Sequence, residues 1–216
     1  MISDERTETF IRSFDGGENG LLRELEKEAK ASGVPIIRPA ARSLLRLVIA
    51  AKSPERILEI GTATGFSAIH MCECAQSPVH VTTIEKYERR IEEAKKNIKR
   101  AGMEDRITLL EGDAEDILKG LCEEGKTYDL VFMDAAKAQY MVYFQYVLKM
   151  LEKKGILISD NVLQDGDVIE SRFAVERRNR TIHSRMREYL YELTHNEELV
   201  TDILPVADGM TVSVRI

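Results

Sequence analysis

The sequence holds little cysteine: three residues in 216, an odd count. That is too little for a disulfide scaffold, and the plain expectation is reduced thiols in a cytoplasmic protein. It also lacks a long uncharged run. The longest, with His counted as neutral, covers residues 60–72, well short of the roughly 20 residues that span a bilayer. The first 30 residues carry 13 charged side chains and no apolar stretch of leader type, so neither a signal peptide nor a membrane partner is expected. Excess positive charge is missing too. With 31 Lys and Arg against 37 Asp and Glu, the net charge is −6, which excludes a protein that coats nucleic acid by bulk charge but leaves room for a local basic patch. What is present, 44% hydrophobic and 31% charged residues, is the balance of a globular protein. The length favours one domain, residues 1–216, with a helical segment over 1–52 ahead of a core over 53–216.

Hydrophobic periodicity divides the chain. Leu21, Leu22, Leu25 and Ala29 form an apolar stripe on a charged helix ending near Gly33. A second helix is predicted over 39–51, with Leu44, Leu45, Val48 and Ile49 inward and Pro54 beyond its end. Short apolar strands then alternate with helices. The strands fall at 56–60, 79–85, 107–111, 128–134 and 155–160, and the helices at 67–75, 87–101, 114–123 and 138–151. This alternation means an α/β fold, a parallel sheet with helices on both faces. A long helix over 170–194 follows, then two strands, 199–206 and 209–216, joined by Asp208-Gly209 as a tight antiparallel hairpin.

Open α/β sheets bind ligands beyond the carboxyl ends of their strands. The first strand runs into Glu59-Ile60-Gly61-Thr62-Ala63-Thr64-Gly65-Phe66-Ser67, where glycines let a ligand approach the backbone. The second ends on Glu85, 24 residues after Gly61, a spacing at which an acid can take both hydroxyls of a ribose. The third ends in Gly112-Asp113-Ala114, with Asp113 placed for an adenine amino group. At the ends of the fourth and fifth strands stand Asp134, with Lys137 three residues on, and Asp160-Asn161. Two carboxylates and an amide oxygen are hard ligands suited to Mg²⁺, and the absence of soft ligands there argues against zinc. His70, Cys72, Cys74 and His80 give no four-ligand zinc spacing either, since on a helix Cys72 points away from His70. Tyr140, Tyr143, Phe144 and Tyr146 read as helix packing, with Tyr140 alone a candidate to border an acceptor.

The glycine loop, spaced E-x-G-x-x-x-G, resembles motif I of the class I S-adenosylmethionine (SAM)-dependent methyltransferases, and the terminal hairpin matches their Rossmann-like seven-stranded sheet, mostly parallel with an antiparallel C-terminal pair. The resemblance spans residues 36–216. It implies SAM contacts at Glu59, Gly61, Thr62, Ala63, Gly65, Glu85, Asp113, Ala114 and Asp134, with Ile37 and Ser67 as weaker ones. The set Asp134, Lys137, Asp160 and Asn161 resembles the divalent-metal-dependent O-methyltransferases of the catechol and caffeoyl-CoA group. That implies a Mg²⁺ or similar cation on Asp134, Asp160 and Asn161, two neighbouring acceptor oxygens, catalytic roles for Asp134 and Lys137, and a homodimer. Lys137 is then expected to take the hydroxyl proton with its own pKa depressed.

Six arginines stand between 170 and 189: Arg172, Arg177, Arg178, Arg180, Arg185 and Arg187. As a generic run they read as a solvated helix face. Together with Val34-Pro35-Ile36, residues 57–63, 134–140 and 160–163, however, they are most similar to the bacterial tRNA 5-hydroxyuridine methyltransferases. That similarity implies a wobble uridine of tRNA as acceptor, with Arg172, Arg177, Arg178, Arg180 and Arg185 on the RNA. A small catechol or caffeoyl-CoA-type acceptor is the alternative. Ile37-Arg38-Pro39 departs from the more polar stretch expected of the cofactor lid.

Overall fold

A computed structural model describes residues 5–14 and 20–216. The elements run α1 (Glu5–Arg12), α2 (Gly20–Ser32), α3 (Pro39–Lys52), β1 (Arg56–Ile60), α4 (Phe66–Cys74), β2 (His80–Glu85), α5 (Glu88–Arg100), β3 (Ile107–Glu111), α6 (Ala114–Glu123), β4 (Tyr128–Met133), α7 (Tyr140–Met150), β5 (Leu151–Ser159), α8 (Arg180–His195), β6 (Leu199–Leu204) and β7 (Met210–Arg215). The seven strands form one sheet ordered β3-β2-β1-β4-β5-β7-β6. β1 to β5 are parallel, and β7 pairs antiparallel with both β5 and β6. Among the described residues no helix is long and apolar enough to cross a membrane.

The apolar strands are buried on both faces. On one face Leu22 and Leu25 of α2, Ala41, Leu45 and Ile49 of α3 and Ile69 of α4 pack against Ile57, Val81 and Phe132. On the other, Leu118 of α6, Phe144 and Val147 of α7 and Tyr189 and Leu193 of α8 cover Leu58, Val131 and Leu157. Each fully buried Leu contributes about 1.5–3 kcal/mol, so α2, with no acid in its first turn, is held by its inward face rather than by its ends. In α3, Leu45 and Ile49 are buried as predicted, but Ala41 and Arg42 complete the stripe while Leu44 and Val48 sit at its edge.

Three boundaries differ from the sequence expectation. β5 starts at Leu151, directly at the end of α7. The long helix expected from 170 starts only at Arg180, and the segment before it is a series of turns. The β6–β7 connection spans Pro205 to Gly209 rather than two residues. Pro205 has no N–H to continue the ladder, and Asp208 is buried, its carboxylate accepting from the Asp165 N–H.

Candidate active site

The strand register builds the site. Ile60 pairs with Ile84 and with Met133, and Met133 pairs with Ser159. The next residues along the chain, Gly61, Glu85, Asp134 and Asp160, therefore emerge together from adjacent carboxyl ends. Backbone bonds carry the ladder past the strands: Asp134 N–H donates to Ile60 O, and Asp160 N–H to Met133 O, each at 3.0 Å.

Gly61 lies at φ 103°, and a Cβ there would sit 2.0 Å from the Asp134 carbonyl oxygen. Only glycine lets the β1 loop pass so close to the end of β4. Glu85 then organises that loop. Its Oε2 accepts from the Ala63 N–H at 2.9 Å, and its Oε1 from the N–H groups of Lys86 and Tyr87 at 2.9 and 3.0 Å. A carboxylate has about four lone-pair sites, so one remains for a ligand's hydroxyl. Asn97 of α5, which sequence reasoning did not single out, donates to Thr64 O at 2.9 Å and pins the loop from behind.

Above these strand ends lies a cavity of about 590 Å³. Ile37 lines one side, the Gly61-Thr62-Ala63 turn and Ser67 the floor, and Glu85 and Ala114 one end. Asp134, Lys137, Asp160 and Asn161 line the other end. Lys86, Tyr87, Arg90 and Tyr143 also line it. Tyr87 and Arg90 had no motif to flag them beyond their place just after Glu85, and Tyr143 read as packing alone.

Three expected cofactor contacts lie elsewhere. Glu59 does not line the cavity. It is fully buried beneath the loop, with its Oε2 accepting from Thr83 Oγ1 at 2.5 Å and its Oε1 without a hydrogen-bond partner. Burial pushes its carboxyl up to about 8. Asp113 caps α6 instead, its Oδ1 accepting from the Glu115 N–H at 3.0 Å and its Oδ2 3.4 Å from Lys86 Nζ. Gly65 is the left-handed residue, φ 81°, from which α4 departs, and its Cβ position faces Ala94 of α5 rather than the cavity.

At the other end the side chains converge. Lys137 Nζ donates to Asp134 Oδ1 at 3.0 Å, Asn161 Oδ1 at 2.9 Å and Tyr140 Oη at 3.0 Å. Asn161 sits in left-handed backbone, φ 55°, and its N–H donates to Asp160 Oδ1 at 2.7 Å. Burial, with the charge of Asp134 beside it, pushes the Asp160 carboxyl up to about 7. Burial also acts to lower the Lys137 pKa, but Tyr140 and Asp134 outweigh it and hold the ammonium above its usual range. Its three partners are one acid, one amide and one phenol, and the depression expected of it depends on a divalent cation beside it. Tyr140, the candidate to border an acceptor, is fully buried and absent from the cavity wall.

Among the described residues no three His, Cys, Asp or Glu side chains gather as metal ligands. The predicted set has two carboxylates and an amide. Its donors fit a hard cation: all three offer oxygen, two of them already hold a cationic ammonium, and burial beside Asp134 leaves the charged form of Asp160 in want of a cation. His70 Nε2 and Cys74 Sγ are 3.4 Å apart on α4, while Cys72 is buried in the core, as the helix geometry required.

The arginine run is mostly engaged. Arg180 donates to Val175 O and Phe173 O, Arg185 to Ala138 O, and Arg187 to Val168 O, at 3.0–3.3 Å. Arg178 pairs with Glu176 at 2.7 Å. Arg180 and Arg187 thus hold the turns before α8, and Arg185 the turn before α7, rather than standing as free cations. Arg172 and Arg177 make no ion pair among the described residues. None of the five arginines assigned to RNA lines the cavity.

The sequence profile of a family described as "O-methyltransferase" matches residues 12–216. A catechol O-methyltransferase of Niastella koreensis is 32% identical over 169 residues, 77% of this chain and 76% of that protein. A catechol O-methyltransferase of Mycobacterium tuberculosis is 32% identical over 164 residues, 75% and 74% of the two chains. The crystal structure of an O-methyltransferase from Bacillus cereus in complex with SAH superposes with a TM-score of 0.86 at 25% identity, covering 98% of this chain and 97% of that one.

Proposed function

The chain belongs to the O-methyltransferase family, and on that premise we propose that it transfers a methyl group from SAM to one of two neighbouring oxygens on a catechol-type small molecule. The observation that carries this reading is the meeting, in one cavity, of the Gly61 cradle with Asp134, Lys137, Asp160 and Asn161. The catechol O-methyltransferases among the relatives favour a small dihydroxy acceptor.

SAM supplies the sulfonium methyl, and the cavity volume suits a molecule of that size. Gly61 lets the β1 loop lie against the end of β4 where the cavity wall forms, and Glu85 keeps one lone-pair site for a ribose hydroxyl. Asp134, Asp160 and Asn161 would hold a divalent cation, which supplies the charge that stabilises a deprotonated acceptor oxygen. With a cation drawing Asp134 and Asn161, Lys137 Nζ would give up two of its three partners and stand at the acceptor end of the cavity as the group that takes the hydroxyl proton. Holding oxygen and methyl in line contributes the rest of the acceleration.

A second reading, 5-hydroxyuridine of tRNA, rests on Phe173, which is 86% exposed and follows Arg172 in the chain. An exposed aromatic is a surface on which an unpaired nucleobase stacks. Competition separates the two. With labelled SAM and Mg²⁺, a small dihydroxy-aromatic acceptor is expected to take label ahead of tRNA lacking 5-methoxyuridine, and EDTA to stop transfer to either. Label in tRNA at far lower acceptor concentration would replace the first reading with the second.

A further inference from the structure

We propose that Tyr140 is the positioning residue for Lys137, and that its hydroxyl fixes the ammonium at the acceptor end of the cavity. The inference rests on the reading of this cavity as a methyl-transfer site.

A lysine beside a carboxylate has many ways to settle. Its stem is flexible, and its ammonium is a point charge with three donors but no preferred plane. Attraction to Asp134 alone would leave Nζ free to swing about that carboxylate. The structure supplies a third acceptor from a different direction, the Tyr140 oxygen, 3.0 Å from Nζ. Asp134 Oδ1, Asn161 Oδ1 and Tyr140 Oη account for the three ammonium donors.

Tyr140 suits that task because it cannot move. Its side chain is fully buried, and its ring meets Tyr189 edge-on at 5.4 Å between centroids. Its hydroxyl proton lies between two backbone carbonyls, Met133 O at 3.1 Å and Asp160 O at 3.0 Å. With the proton committed to that side, the oxygen lone pairs face Lys137. The two carbonyls are those of the residue before Asp134 and of Asp160 itself. One hydroxyl thus ties together the ends of β4 and β5, from which the oxygens of the site project. Lys137 precedes Tyr140 by three residues, in a single 3-10 turn leading into α7, so the pair is also local in sequence.

The test is Tyr140→Phe, alone and combined with Lys137→Ala. Tyr140→Phe is expected to lower kcat roughly ten- to a hundredfold, the range a misplacement of about 1 Å produces, with the acceptor KM and SAH affinity within about twofold. Added to Lys137→Ala, it is expected to cost nothing further, because its effect passes through Lys137. A crystal structure of Tyr140→Phe is expected to show Nζ displaced from Asn161. An unchanged kcat, an equal loss on the Lys137→Ala background, an ammonium that stays in place, or a variant that no longer melts cooperatively would each overturn the proposal. Tyr189→Phe is the control. It removes a buried hydroxyl that contacts Ser159 at 2.6 Å and is expected to leave the kcat to KM balance as it is. If the wild-type protein methylates no acceptor, the functional reading fails, and the crystallographic position of Lys137 still decides this one.

Discussion

A methyl group at position 61 would meet the Asp134 carbonyl oxygen at 2.0 Å, in backbone with φ 103°. Gly61→Ala is therefore expected to cost roughly 1–3 kcal/mol in backbone strain alone and to abolish measurable SAH binding by calorimetry; retained affinity would mean that the loop does not cradle the cofactor. Glu59 gives a pH signature. Its carboxyl titrates near 4.5 when unconstrained and at about 8 in the folded chain. Between those values the folded state holds a proton that the unfolded state has lost, so stability falls as pH rises from about 4.5 to about 8. Glu59→Gln keeps the neutral form, and its Tm is expected to vary less than wild type between pH 5 and 8.5. Equal slopes would contradict the assignment. Glu59 and Asp113 also show what a sequence conceals. A buried acid under a loop, a helix cap and a ligand contact all appear as a carboxylate near a strand end. Which one it is depends on side-chain direction, and a strand buried on both faces has no polar alternation to reveal that.

Among the elements, the parallel strands and most helices are legible in the sequence because their apolar periods differ and are short. The segment between β5 and α8 is not. Its arginines and glutamates mimic a solvated helix, yet Arg180 and Arg187 bond backbone carbonyls of its turns. Such bonds depend on where the chain returns, which periodicity does not encode. Arg187→Ala is expected to speed amide exchange across residues 163–175 severalfold while leaving exchange in β1 to β4 unchanged. Uniform acceleration would instead mark Arg187 as a contributor to global stability. The longer hairpin has a similar origin. A Cβ at Gly209 would lie 2.3 Å from Leu163, so the turn is shaped by the loop after Asn161 that it packs on.

For the whole molecule, the sheet order carries the function. β1 lies beside both β2 and β4, so a ligand above its end reaches Glu85 on one side and Asp134 on the other, and β5 beyond β4 adds Asp160 and Asn161. The acids, amide and lysine of that end were legible from their places at successive strand ends. The acceptor was not, because the Arg-rich stretch reads the same in sequence whether its side chains close turns, as Arg180 and Arg187 do, or stand in solvent. Two-site occupancy also predicts a dissociable requirement: EDTA is expected to abolish methyl transfer without weakening SAH binding more than about twofold. Loss of SAH binding with the metal would show that the two sites are not separate.

The most direct measurement is an anomalous difference map from crystals grown with SAH and Mn²⁺. A single peak bounded by Asp134, Asp160 and Asn161, with SAH lying over Gly61 and against Glu85, is the predicted result. SAH in that cavity with no peak at those three oxygens, or with Mn²⁺ bound elsewhere, would contradict the metal-assisted mechanism.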